Sequence, residues 1–221
     1  MVTASWRQTG PMPSALPPSI RPYRSADRDA VYEVCVRTGD AGGDASGQYP
    51  DDLLPDIYAG PYLYLEPGLS FVLDDNGRAV GYVLGTADTA RFVSRYRSEW
   101  LPKLAGRYRT PKGPPTSPVA QLVALLYQPE RMLVDQLASY PAHLHIDLLP
   151  DYQRSGYGRR LIETLLQALA RVGAEGVHLA VAGSNIGAQE FYRRVGFDEV
   201  EVAGAPPSTL YFGRALGTAA T

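Results

Sequence analysis

The chain has a single cysteine, Cys35, among its 221 residues, so no internal disulfide framework can hold it together. That scarcity is compatible with a reducing, cytoplasmic setting. Cys35 follows Val31 and Val34 on one apolar stripe and reads as a small buried hydrophobe. Long hydrophobic runs are also missing: Leu122 to Tyr127, one of the longest, falls far short of the roughly 20 residues a membrane span needs. Residues 1–19 mix prolines with polar residues and lack the apolar stretch of a secretory signal. They are expected to form a flexible arm ahead of a single domain over 20–221. Nor is there a surplus of charge. With 21 basic and 23 acidic side chains the formal net charge is −2, so no basic field draws nucleic acid and any anion site must be local. A metal site is not expected: there is no cysteine cluster, and His143, His145 and Asp147 have no further recognisable ligands beside them.

What is present is an alternation of strands and helices. Ile20 to Tyr23 reads as a first strand, and Ser25 as the N-cap of a helix running to about Arg37. Residues 38–50 are too glycine-rich for either regular structure, and a loop of that length in a compact domain is mobile or functional. A short helix over Asp51 to Tyr58 precedes a tyrosine-rich segment with Tyr58, Tyr62 and Tyr64. Leu69–Leu73 and Val80–Leu84 flank Asn76-Gly77, a strong hairpin signal. Residues 88–140 interrupt the alternation. They predict a helix over Thr89–Leu101, a proline-rich loop over Tyr108–Pro118 and further helical pieces up to Leu137, with Pro129 breaking whichever helix contains it. From His143 the order is strand, helix (Gly158–Val172), strand (Val177–Val181), helix (Ile186–Val195), strand (Phe197–Val202) and a last strand near Thr209–Phe212. Gly173 and Gly196 stand where helix C-caps are expected. Strand–helix–strand units with short loops predict an α/β fold with parallel neighbours.

The centre of this pattern is His143 to Gly158. An apolar strand carrying His143, His145 and Asp147 runs into Gln153-Arg154-Ser155-Gly156-Tyr157-Gly158, and a helix follows. A strand, a glycine turn and a helix start present main-chain N–H groups to an anion, so a phosphate-bearing ligand is expected there. A P-loop would need Gly-Lys-Ser/Thr, but Arg159 and Arg160 follow Gly158. A dinucleotide fingerprint would need a third glycine or alanine where Leu161 stands.

What remains, Gln153-x-x-Gly156-x-Gly158, resembles the acyl-CoA signature of the GNAT acetyltransferase superfamily. Asn185-x-x-Ala188-x-x-Phe191-Tyr192-x-x-Val195-Gly196-Phe197 resembles that superfamily's next conserved segment, at the expected separation. Together the two cover roughly 142–202. Ile20 to Tyr23, the Gly-rich loop, Asp51 to Pro67 and His145 to Pro150 are further similar to bacterial relatives of the acetyltransferase-like C-terminal domain of O-GlcNAcase. The resemblance implies a mixed central sheet flanked by helices, with 88–140 as a helical insertion between strands 3 and 4 that shapes an acceptor pocket. It implies acetyl-CoA as cofactor and an amine, on a small molecule or a peptide, as acceptor; a homodimer is compatible with it, and neither nucleic acid nor membrane is expected as a partner.

Carried over residue by residue, the resemblance has coenzyme A held by Gln153, Arg154, Ser155, Gly156, Tyr157, Gly158 and Arg159, with Asn185 contacting the cofactor arm. The main chain at Leu148 and Leu149 would lie beside the thioester, and the N–H of Leu148 would polarise its carbonyl. Tyr192 matches the position that protonates the leaving thiolate. The general base is open. The superfamily positions for it fall near Ala142 and Leu144, which cannot titrate, while His143, His145 and Asp147 lie on the other side of an ideal strand. A bulge would shift the register by one. Asp147 is then the first candidate and His145 the second. The alternatives are that these two form a structural pair, and that the whole domain is a binding module without turnover.

Overall fold

Asn76 and Gly77 adopt left-handed φ angles of 52° and 88°, the pair a two-residue turn needs when it matches the twist of its strands. The turn joins β2 (Ser70–Asp75) to β3 (Arg78–Thr86), and the expected hairpin is the nucleus of a mixed sheet. The computed structural model describes residues 17–50 and 52–217, so the expected arm lies, up to residue 16, outside the described residues, as does Asp51. The other strands are β1 (Ser19–Pro22), β4 (Ala142–Leu148), β5 (Gly176–Ala182), β6 (Asp198–Val200) and β7 (Thr209–Ala215), and the seven-stranded order is β1-β2-β3-β4-β5-β7-β6. All neighbours are antiparallel except β4 and β5.

Helices cover both faces. The helix α7 (Tyr157–Arg171) packs on β2, β3 and β4 through Leu161, Ile162, Leu165 and Leu169, all fully buried, each worth about 1.5–3 kcal/mol. Across the sheet lie α1 (Arg28–Arg37), α2 (Leu53–Tyr58) and α3 (Gly60–Leu65). Val31, Val34 and Cys35 form the buried stripe of α1. The capping expectation needs correcting: Ser25 begins a short 3-10 turn and caps nothing. Asp27 does the work instead, accepting from the Arg24 N–H (2.8 Å) while Arg21 spans Asp27 (2.6 Å) and Asp74 (2.7 Å). That network ties the edge strand to the start of α1. Gly173 and Gly196 end their helices in left-handed conformations, as expected. No helix among the described residues is long and apolar enough to cross a membrane.

Residues between β3 and β4 are helical but not as one rod. The expected Thr89–Leu101 helix is α4 (Thr89–Arg95), a wide turn over Tyr96–Trp100 and α5 (Leu101–Leu104). Pro102 has no N–H and would collide with the carbonyl four residues back, so the turn widens and Leu101 N–H bonds Tyr96 O. After the proline-rich loop comes α6 (Pro118–Leu126), and Pro129 opens a separate 3-10 turn, Pro129–Met132. This segment is fastened to α1 and α2 by Asp56, which is 1 % exposed. Its carboxylate accepts from Tyr32 (2.8 Å), Tyr108 (2.9 Å) and Arg107 (2.9 Å), and its main-chain carbonyl from Trp100 Nε1 (3.0 Å).

A second buried polar group pins β4 to α3 and α4. Thr89 Oγ1 donates its one proton to the Pro141 carbonyl, so His143 Nδ1 must donate to Thr89 (2.8 Å), which leaves Nε2 to accept from Tyr62 (2.7 Å). His143 is therefore a neutral structural imidazole. Burial, helped by the nearby His178 and Arg131, holds its pKa well below the ordinary histidine range, and burial lowers His178 too.

Two outcomes follow for stability. Asp56→Ala strands two buried hydroxyls and frees Arg107, and should cost on the order of 3 kcal/mol in urea unfolding. Because His143 and His178 titrate lower folded than unfolded, the unfolded chain binds more protons below about pH 6.5. Their contribution is thus fully present above that pH. It should fall by about 1.4 kcal/mol per unit for each histidine as the pH drops below it, and His143→Gln should remove one histidine's share of that slope.

Candidate active site

β4 and β5 are parallel neighbours only at Ala142↔Val177 and His143↔His178, and then they diverge. Beyond Leu144 the edge of β4 facing β5 therefore has no strand partner. Donors alternate along an antiparallel ladder. Since Leu149 N–H bonds Val80 O (3.0 Å) on β3, the N–H groups of Ile146 and Leu148 point the other way, into the opening, while that of Leu144 closes the last ladder bond to β5. The carbonyl of Leu148 on that same edge accepts from Gln153 Nε2 (2.9 Å), which folds the turn back on the strand. Leu149 has its N–H committed, so Leu148 is the free donor of the pair.

The turn itself is built for a helix start. A 3-10 turn (Pro150–Tyr152) leads into it, and Tyr152 is anchored by a 2.5 Å bond to Asp75. Arg154 (φ 58°) and Gly156 (φ 83°) are both left-handed, and α7 begins at Tyr157. Glycine is the residue that adopts such an angle without strain, which accounts for Gly156. Between Arg154 and Arg159 no N–H finds a main-chain acceptor among the described residues; the first is Arg160, to Gly156 O (3.2 Å). Six consecutive donors thus lie at the positive end of a helix of 15 residues. Gly158 has another reason: a Cβ there would come within 3.3 Å of the Phe191 ring, so glycine allows α7 to approach α8 (Ile186–Arg194). Arg159 is drawn to the same helix, donating to Arg194 O (3.0 Å), while Arg154 and Ser155 remain exposed.

At the head of α8 Asn185 has two duties. Its Oδ1 caps the helix by accepting from Ala188 N–H (3.1 Å), and its Nδ2 donates to Ala41 O (3.2 Å) in the Gly-rich loop. That loop is less irregular than its composition suggests: Asp40 and Gly43 exchange main-chain bonds around Ala41-Gly42, and Ala45 is buried.

The catalytic candidates converge. The β3–β4 register is continuous from Thr86↔His143 to Gly81↔Leu148, so β4 carries no bulge in this ladder. His143, His145 and Asp147 therefore stay on the α1–α3 side, opposite Ala142 and Leu144. Tyr82, directly across from Asp147, donates to its Oδ2 (2.6 Å). His145 Nε2 lies 3.1 Å from the same oxygen, outside hydrogen-bonding angles, and is left without a partner. Tyr58 stacks on the His145 ring at 5.8 Å. Tyr192 is buried against Phe191, Phe197 and Phe212. Burial, with the Asp147 charge close by, pushes its phenol pKa far above the usual range, so it is protonated at neutral pH. Sequence reasoning named Tyr58 in its tyrosine-rich segment but missed Tyr82; the period-two pattern of β3 could have put Tyr82 on the Asp147 face, but the cross-strand register was needed to pair the two. Among the described residues no cluster could hold a metal ion.

This arrangement has relatives. The Acetyltransferase (GNAT) family matches residues 39–197. Protein O-GlcNAcase of Rattus norvegicus is 28% identical over 201 residues, which is 90% of this chain but 22% of that protein, so the chain spans about a fifth of the length of that relative. The [Ribosomal protein bS18]-alanine N-acetyltransferase of Escherichia coli K12 is 42% identical over 53 residues, 24% of this chain and 36% of that protein. The crystal structure of SsHAT superposes with a TM-score of 0.88 at 54% identity, over 91% of this chain and 100% of that one. A GNAT phosphinothricin acetyltransferase from Sinorhizobium meliloti in complex with AcCoA shares the fold, with a TM-score of 0.52 at 14% identity over 91% of this chain and 90% of that one. Matched by the family over most of its length and by SsHAT over nearly all of it, the chain belongs to the GNAT acetyltransferase family.

Proposed function

We propose that this protein is an acetyl-CoA-dependent N-acetyltransferase that passes acetyl directly to an amine acceptor in a ternary complex, in a cytoplasmic setting. The observation that carries this reading is the row of N–H groups from Arg154 to Arg159, without main-chain acceptors and beside the unpaired edge of β4. A pyrophosphate offers only acceptors, so it suits a cradle made only of donors, and the exposed Arg154 adds charge. Gln153, Ser155, Gly156, Tyr157, Gly158 and Arg159 shape that cradle. When bound, acetyl-CoA supplies the acetyl group as a thioester. The Leu148 N–H, aimed into the opening, would stabilise negative charge developing on the carbonyl oxygen. Tyr192, protonated at neutral pH, would give its proton to the departing sulfur. Asp147 would take a proton from the acceptor's ammonium, freeing the amine lone pair to attack, with Tyr82 fixing its carboxylate and His145 beside it as the second candidate.

One observation favours the non-catalytic module: Asp147 already accepts from Tyr82, as a purely structural carboxylate would. Calorimetry and thiol release separate the two readings. Acetyl-CoA should bind the intact protein, and Gly156→Asp with Tyr157→Asp should abolish binding. Asp147→Asn and Tyr192→Phe should each lower kcat by about 10²–10⁴-fold while leaving acetyl-CoA affinity within a few-fold. Absence of acetyl-CoA binding would sink the enzyme; binding without turnover across a panel of amines would make the domain a module.

A further inference from the structure

The apolar stripe of α6 runs out of the core into open surface. Val119, Val123 and Leu126 follow one another at i, i+4 and i+7 on one face. Leu126 is fully buried, Val123 is half-buried, and Val119 is 37 % exposed. A helix whose one polar side chain is Gln121 is expected to be covered all round, yet only Leu126 is. The open part of the stripe, with Ala120, lines a groove of about 580 Å³, and Tyr108 and Pro111 from the preceding loop line it too.

The groove carries charge of one sign. Arg107, Arg109 and Lys112 line it, and no carboxylate among the described residues does. Arg107 is held by Asp52 (2.8 Å) and Asp56 (2.9 Å). Arg109 and Lys112 are exposed and have no carboxylate partner among the described residues. The frame around them is stiff. Tyr127 donates to the Tyr108 carbonyl (2.7 Å), the Tyr108 hydroxyl donates to Asp56 (2.9 Å), and Ser117 Oγ accepts from Ala120 N–H (3.2 Å). Pro111, Pro114, Pro115 and Pro118 each fix a main-chain φ between those anchors. A groove set in advance loses little entropy when something fills it.

We propose that this groove docks an acidic segment of a partner protein, with one large apolar side chain against Val119, Val123 and Pro111 and flanking carboxylates on Arg109 and Lys112. The apolar lining asks for a side chain that gains by leaving water, and the free cations ask for anionic acceptors. A concave surface admits a chain segment, whereas the plane of a bilayer cannot enter it. Nucleic acid would need an exposed aromatic face or a wider basic field, but Tyr108 is buried and the chain's net charge is −2. Docking of this kind is independent of acetyl transfer.

Fluorescein-labelled peptides with a central leucine, isoleucine, phenylalanine or tryptophan between two runs of glutamate are titrated with the full chain, and anisotropy is read at low and at high salt. At low salt the best of them should bind saturably, about tenfold or more tighter than its counterpart with a central alanine. Lysine in place of glutamate should abolish binding, and salt should weaken it. Arg109→Glu with Lys112→Glu should lower the affinity about tenfold or more, and so should Val119→Asp. All three side chains are exposed and aspartate suits the first turn of a helix, so the fold should be retained, which circular dichroism checks. Affinity that survives the double charge reversal, equal binding of the alanine peptide, or no saturable binding by any of the peptides overturns the proposal. Sedimentation with phosphatidylserine vesicles, or binding of a single-stranded oligonucleotide, in place of peptide binding overturns it as well.

Discussion

Two parallel strands that remain hydrogen-bonded for only two residue pairs place almost everything else. A sheet edge inside a domain is normally paired or covered, because unpaired main-chain groups are costly to bury. Here β4 leaves β5 after His143, and the freed edge is met by the Gln153 side chain on the Leu148 carbonyl and by the start of α7, where Gly158 comes close to the Leu148 side chain. The remaining donors of that edge, and those of the turn after it, form one connected surface of N–H groups. The opening and the donor row are parts of the same departure from sheet regularity.

Such an opening would weaken the sheet if nothing held the two strands where they part. His143 and His178 sit across from each other at the last paired position, their rings 5.6 Å apart, each tied to main chain or hydroxyl partners. Keeping both neutral avoids placing two cations side by side in the core. The imidazoles therefore belong to the frame, while the ionisable groups further along the strand on the same α1–α3 side, His145 and Asp147, meet Tyr58 and Tyr82 instead.

Much of this could be read from residue order. The Asn-Gly hairpin, the glycine-ended helices, the apolar stripe of α7 and the turn at 153–158 all depend on local chemistry, which a linear sequence displays. Boundaries shifted by one to three residues, as at β7, which runs on past Phe212 to Ala215 beside β5. Ser25 was misread because a serine before a helix looks like a cap, whereas the carboxylate that meets the Arg24 N–H, Asp27, is fixed by a distant partner, Arg21. The roles of β4 were unreadable for the same reason. Whether His143 titrates depends on Tyr62 and Thr89, and whether Asp147 is free depends on Tyr82, all remote in sequence. The wide turn at Tyr96–Trp100 was hidden because its cause, Pro102, lies beyond it in the chain.

Asn185 carries a consequence for motion. One side-chain amide supplies the cap of α8 with its oxygen and holds the Ala41 carbonyl with its nitrogen. A rotation that releases the Gly-rich loop also withdraws the cap, so loop order and the first turn of α8 are thermodynamically linked. The two segments, 144 residues apart along the chain, should therefore loosen and tighten together as a single cooperative unit, with hydrogen exchange at Gly42 and at Ala188 rising in step.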